Sequence, residues 1–408
     1  MKPDKENNPQ TAIPPISIRR IRYLIFLKDI GLLSVTCFGG PQAHIAMFLE
    51  LLVRKRAYLS EAELIELQAL CTILPGPTST QTLTAIAFKI GGPNLAYLTL
   101  FVWIAPAVTF MTTIALSVSY LERQGISLNF ARFLEPVAVG LVIHGGYQIA
   151  HKVLRNASGL GLALVACLVA YLIRSPFVAP VIVLLGGIIT AVEYRKLERK
   201  ETKVPLKIEW SNFVLFLSVP VLAAVAGGIS HWLPIRLFEN FYRNGSLIFG
   251  GGDVLLPLLF TEFVQFKGYL TQDEFLPGLA LARVVPGPVF AFTAFIGVLS
   301  MREYGLGGQL LGSLMATAGI FLPGTFMIFF VYRFWDQLKQ YRIVRASLEG
   351  ITAAGIGLIA ASALILLQSM HTEPINYLIV VISFLLLQYT KIPQPFLILG
   401  ALLAGFLL

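Results

Sequence analysis

Apolar runs in this chain are interrupted at matched intervals. The run at residues 18–35 begins basic (Arg19, Arg20, Arg22), turns apolar with Lys28 and Asp29 in its middle, and ends just before Phe38-Gly39-Gly40-Pro41. Residues 42–53 and 60–74 read as two short helices separated by Arg54, Lys55 and Arg56. Both are too short and too polar to cross a bilayer comfortably, which takes about 20 mostly apolar residues. A third short helix at 78–90 follows Pro75-Gly76-Pro77 and stops at Gly91-Gly92-Pro93. Full spans are predicted near 95–120, 135–150, 158–173 and 177–191. After a loop carrying Arg195, Lys196, Arg199, Lys200, Lys203 and Lys207, one more is predicted at 213–229.

The opening theme then returns at a constant shift of 211 residues. Phe38-Gly39-Gly40 maps onto Phe249-Gly250-Gly251, Val53 onto Val264, Tyr58 onto Tyr269, Glu63 onto Glu274, and Pro75-Gly76-Pro77 onto Pro286-Gly287-Pro288. Pro106 and Pro323 correspond with a small insertion. The chain is thus a tandem duplication. Residues 18–193 form a first repeat, 194–230 a basic loop and linking span, and 231–408 a second repeat. The linking span makes the number of crossings odd if each broken-helix region enters and leaves on one side, so the second repeat is expected to be inverted. Loop charge agrees, because Lys and Arg collect on the cytoplasmic side. Arg54, Lys55 and Arg56 correspond to the less basic Gln265, Phe266 and Lys267, whereas Glu122, Arg123 and Arg132 correspond to the more basic Arg333, Lys339, Arg342 and Arg345.

Composition places this pattern in a membrane. Of 408 residues, 56% are hydrophobic and 13% charged, and the mean hydropathy is +0.76, well beyond an ordinary soluble domain. The expected fold is an all-α integral membrane protein of two inverted-topology repeats with broken, re-entrant helices. The net charge of +9 lies in short loops and the N-terminal region, as cytoplasmic flanks require, and does not call for nucleic acid. Cys37, Cys71 and Cys167 show neither disulfide nor metal spacing. Residues 1–17 are polar, lack a signal-peptide core, and read as a disordered cytoplasmic tail. No cofactor, metal site or catalytic group is expected, and there is no phosphate-binding loop.

Each Pro-Gly-Pro triplet breaks a helix, since it removes backbone donors and favours irregular dihedrals. At membrane depth such a break survives where protein or water satisfies the freed groups, and a matched pair of breaks points to a transport site. The other reading is a pair of kinks that pack helices together. A half-helix starting after a break turns its positive end inward and suits an oxyanion. Candidate binding residues are Gly39, Gly40, Pro41 and His44, then Pro75, Gly76, Pro77, Thr78, Ser79 and Gln81, with Thr80 between them. In the second half they are Gly250, Gly251, Gly252, Arg283, Pro286, Gly287 and Pro288. The positions matching Thr78 to Gln81 are Val289, Phe290, Ala291 and Phe292, so the site is expected to be lopsided. Arg283 and Lys89 are the nearby cations, although Lys89 also suits a snorkelling position. His44, Asp253 and Glu262 are candidates for proton coupling.

Phe-Gly-Gly-Pro followed by Ala-His-Ile (38–45), Leu-Pro-Gly-Pro with Ser and Gln after it (74–81), Phe-Gly-Gly-Gly followed by Leu-Pro-Leu-Leu (249–259), and Val285-Pro286-Gly287-Pro288 together resemble the chromate ion transporter family in its two-half form. The resemblance implies chromate efflux driven by the proton motive force, with sulfate as a related oxyanion, from the cell (inner) membrane, the N-terminus being cytoplasmic. Thr72 and Arg283 stand where the family usually has glutamine, Tyr58 where tryptophan is common, and Asp253 adds a carboxylate. A passive anion channel, or a membrane-embedded enzyme or flippase acting on lipid phosphates, are the alternatives. Assembly is open, a homodimer included.

Overall fold

The computed structural model describes residues 18–38, 40–125, 131–154, 156–175, 178–192, 209–248, 255, 258–335, 342–390 and 392–407. The polar tail 1–17, Gly39, the second glycine run with Asp253, and the basic loop 193–208 lie outside them.

The first half comprises α1 (Ile18–Thr36), α2 (Gly40–Phe48) running into a π-helical turn (Leu49–Lys55), α3 (Glu61–Ile73), α4 (Thr78–Arg123), α5 (Leu134–Val153), α6 (Ala157–Leu172) and α7 (Val178–Val192). α8 (Ser211–Ser230) links the halves. The second half repeats the order with α9 (Leu233–Leu247), a π-helical turn (Phe260–Phe266), α10 (Gln272–Ala282), a 3-10 turn (Val289–Ala291) leading into α11 (Phe292–Ser300), α12 (Gly305–Val331), α13 (Arg342–Ser369), α14 (Pro374–Tyr389) and α15 (Gln394–Leu407). The chain is an all-α membrane protein of two repeats. The short helix expected at 78–90 is the first limb of α4, which breaks at Gly92 (φ 74°, ψ −166°). Its counterpart Gly305 (φ 68°, ψ −173°) opens α12 in the same conformation. Only glycine adopts that geometry without a Cβ penalty, so a local residue choice sets where each long span begins.

The duplication extends to local chemistry. Ser60 and Thr271 each cap a helix through the amide three residues on, while Glu63 and Glu274 return a carboxylate to the cap amide. This is the capping box that Ser/Thr-x-x-Glu encodes. Lys89 bonds the Glu63 carboxylate, and Arg302 bonds Glu274. In each half the helix after the break is therefore tied to the start of the helix before it. Lys89 is accounted for by this clamp, at the end of α3 remote from Pro75.

The halves interlock. Phe26, Leu33, Leu52, Leu70 and Leu83 of the first broken-helix region share a core with Ile328, Phe329 and Trp335 of the second half. Conversely Leu100, Ala107 and Met111 of α4 pack into the core formed by Phe263, Phe275, Phe290 and Phe292. Glycines let backbones approach where spans cross: a Cβ on Gly312 would lie 2.2 Å from the Gly297 carbonyl oxygen. This is the small-residue packing expected where lipid supplies no hydrophobic drive between helices. Leu164, Leu168, Leu184, Ile188, Leu222 and Val225 are exposed on α6, α7 and α8, an outward apolar surface suited to hydrocarbon.

Candidate functional site

Each Pro-Gly-Pro break pairs with the opposite half. The Gly76 amide donates to the Ile248 carbonyl at 2.8 Å, and the Gly287 amide donates to the Cys37 carbonyl at 2.8 Å. Cys37 and Ile248 are equivalent under the 211-residue shift, each standing immediately before its glycine motif. The two contacts are one contact repeated by an internal pseudo-two-fold. Positive φ at Gly76 (121°) and Gly287 (97°) aims these amides across the interface. A Cβ on Gly76 would meet Gly324 Cα at 3.4 Å, and one on Gly287 would meet Ala107 Cβ at 3.4 Å. These neighbours directly follow the corresponding prolines Pro323 and Pro106.

Around the first break the groups are polar. Thr78, Ser79 and Thr80 form the first turn of α4, capped by Pro77 without a side-chain hydrogen bond. The Gln81 amide is taken by the Pro77 carbonyl at 2.9 Å, leaving the three preceding amides at the open, positive end of the helix. His44 is 1% exposed, its Nδ1 lies 3.0 Å from Ser79 Oγ, and its Nε2 is buried without a hydrogen bond. His44 therefore joins α2 to the first turn of α4 beside the first break. Its ring stands edge-on to Trp103 at 5.3 Å, and the Trp103 indole N–H donates to Thr80 Oγ1 at 3.0 Å.

Gln81 differs from expectation. Its Nε2 donates to the Pro75 carbonyl at 2.6 Å, and its Oε1 is buried without a partner. Exchanging the two amide atoms would set oxygen against oxygen, so this orientation is required. The Gln81 amide, expected to donate to an anion, uses one of its two N–H groups to brace the break. The second break is apolar, with Phe290, Ala291 and Phe292 buried behind a 3-10 turn closed by Ala291 N–H to the Pro288 carbonyl at 2.9 Å. Arg283 caps the end of α10, three residues before Pro286, and is half-buried. Gly40 starts α2 with φ 79°. Pro41 follows it, its side chain outside the described residues, as are Gly39, Gly250, Gly251, Gly252 and Asp253. Glu262 is fully buried at a distinct place, where Arg243 meets it at 2.6 Å and Asn244 donates at 2.7 Å.

Sequence reasoning missed Trp103, Arg243 and Asn244. A tryptophan within an apolar run carries an N–H that needs a partner, and that signal was legible three residues before Pro106. Arg243 was legible as a charge in a repeat position that holds Leu32 in the first half. Near the first glycine motif, Asp29 is buried and paired with Arg56 (2.9 Å) and Tyr58 (2.7 Å), while Arg54 and Lys55 share Glu50.

Comparison with known proteins follows the same two-part layout. The family model described as "Chromate transporter" matches residues 25–191 and 235–406. The chain is 26% identical to a chromate transport protein of Pseudomonas aeruginosa, over 100% of this chain and 96% of that one. It is 25% identical to an uncharacterised transporter of Methanocaldococcus jannaschii, again over 100% and 96%. An uncharacterised transporter of Bacillus subtilis, 29% identical, covers 42% of this chain with 96% of its own length, so a single repeat occurs there as almost the whole chain. No solved structure matches. With both repeats matched and more than half of its length covered, the chain belongs to the chromate transporter family.

Proposed function

We propose that this protein is a secondary active transporter that exports a tetrahedral oxyanion, chromate first and sulfate second, using the proton motive force. Family membership supports an anion transporter. The observation that carries the mechanistic reading is the reciprocal pairing of the two breaks, Gly76 to Ile248 and Gly287 to Cys37. Backbone exchanged symmetrically between repeats supports a central site between the halves, the arrangement on which alternating access is built. The anion sits at the polar break, on the amides and hydroxyls of Thr78, Ser79 and Thr80, and the halves rock around it. His44, bonded to Ser79 beside the first break, couples a proton to this exchange. The apolar second break supplies packing. A lipid-phosphate enzyme would need acid and base groups at both breaks, and the second is followed by Phe290, Ala291 and Phe292.

Purified protein in vesicles loaded with chromate or sulfate tests the assignment. An imposed pH gradient is expected to accelerate efflux beyond the rate set by the anion's own gradient. Equal rates with and without it would identify a passive channel, and transport of neither ion while another solute moves would refute the substrate.

The same reading orients the chain, with the N-terminus and the loop at Arg54 to Arg56 cytoplasmic and the tip at Gln265 to Lys267 facing outward. Single-cysteine labelling from each side is expected to modify the two loops from opposite faces; labelling from one face would end the inverted-repeat arrangement.

A further inference from the structure

A groove of about 430 Å³ runs between α7, α8 and α9 and ends on the first break, where Leu74 and Pro75 form part of its wall. Its other sides are mostly apolar, including Phe216 and Pro220, and among its described lining residues Arg243 is the one cation. Arg243 is held by Glu262 at 2.6 Å, by Glu239 at 3.2 Å and by the Asn240 side-chain oxygen at 3.2 Å. Glu262 has a second support, Asn244 Nδ2 at 2.7 Å, which stays in place if the guanidinium moves. Lys267 is within electrostatic range of the same carboxylates. Among the described residues the cluster therefore sets Arg243 and Lys267 against Glu239 and Glu262.

The internal repeat shows that the Arg243–Glu262 pair is particular to the second half, the first half holding a different pair, Asp29 with Arg56, at the positions of Asn240 and Lys267. Arg243, Asn244 and Glu262 occupy the positions of Leu32, Leu33 and Leu51 in the first half, whose elements are otherwise the same. A buried ion pair contributes little net stability compared with apolar residues of similar volume, and ionisable groups inside a membrane protein concentrate on substrate and ion pathways.

Building on the proposed oxyanion transport, we infer that Arg243 is the substrate-facing cation of the access route: it rests on Glu262 and exchanges that carboxylate for the oxyanion arriving along the groove toward Pro75. Glu262 and the anion compete for one guanidinium, and Asn244 holds the carboxylate during the exchange. Arginine suits the role because its planar fork serves a carboxylate and a tetrahedral oxyanion alike.

Two variants in reconstituted vesicles, with chromate as the probe at fixed pH, test this. Arg243→Leu combined with Glu262→Leu copies the first half; it is expected to fold and to lose chromate flux by about tenfold or more, the scale of one charge-assisted contact. Glu262→Gln keeps the shape and removes the nearer of the two competing charges, Glu239 staying at 3.2 Å. It is expected to tighten chromate binding by about three- to tenfold, whereas a merely structural pair predicts unchanged or weaker binding. Parental flux in the double variant, or unchanged or weaker binding in Glu262→Gln, overturns the inference while leaving chromate transport by the parent intact. Failure of the parent itself to move chromate would instead remove the reading on which the inference rests.

Discussion

Gly287→Val is expected to abolish transport while leaving the protein folded. At φ 97° any side chain pays a left-handed penalty of about 1–3 kcal/mol, and a β-branched one pays the most. The Cβ itself makes ordinary contacts, the nearest being Ala107 Cβ at 3.4 Å. The backbone relieves the strain by rotating φ, which turns the Gly287 amide away from the Cys37 carbonyl. Chromate flux in vesicles should fall below about a tenth of the parent's, the scale of losing a buried hydrogen bond, and the thermal midpoint should drop by only a few degrees. Gly76→Val should lose transport too, but with a larger stability cost, since its Cβ would lie 2.8 Å from Gln81 Nε2 and dislodge the brace on Pro75. Normal flux through a folded Gly287→Val protein would make the breaks packing kinks and place the site elsewhere.

Replacing His44 should separate movement of the anion from its drive. The buried ring bonds Ser79 through Nδ1 and leaves Nε2 without a partner. An unsatisfied buried nitrogen costs about 1–3 kcal/mol, which a purely structural position would shed by substitution with an apolar residue. His44→Gln retains a polar group that reaches Ser79 but does not titrate. Chromate–chromate exchange across vesicles without a pH gradient is expected to persist in this variant, while the acceleration by an imposed gradient falls by about tenfold or more. His44→Ala should lose both activities, because it also empties the space beside Trp103 and Phe48. If gradient-driven flux in His44→Gln equals the parent's, the proton is carried by another group.

The sequence by itself determined the repeat, the breaks and the extents of most helices, because each depends on neighbours in the chain. Glycine at Gly92 and proline at Pro75 and Pro77 stop helices through their own backbone chemistry, and Ser60 with Glu63 starts one across a single turn. Lipid-facing periodicity likewise needs only composition. Tertiary structure decided what the broken ends meet. The Gly76 amide finds a carbonyl far along the chain at Ile248, and Gly287 finds Cys37 equally far back. No local rule pairs them, since closing so long a loop depends on how the whole interlocked core packs. The same holds for Trp103 on Thr80 and for Arg243 beside the break at Pro75. Gln81 shows it too: its residue type offers two donors, and the fold sets one of them on the Pro75 carbonyl at 2.6 Å.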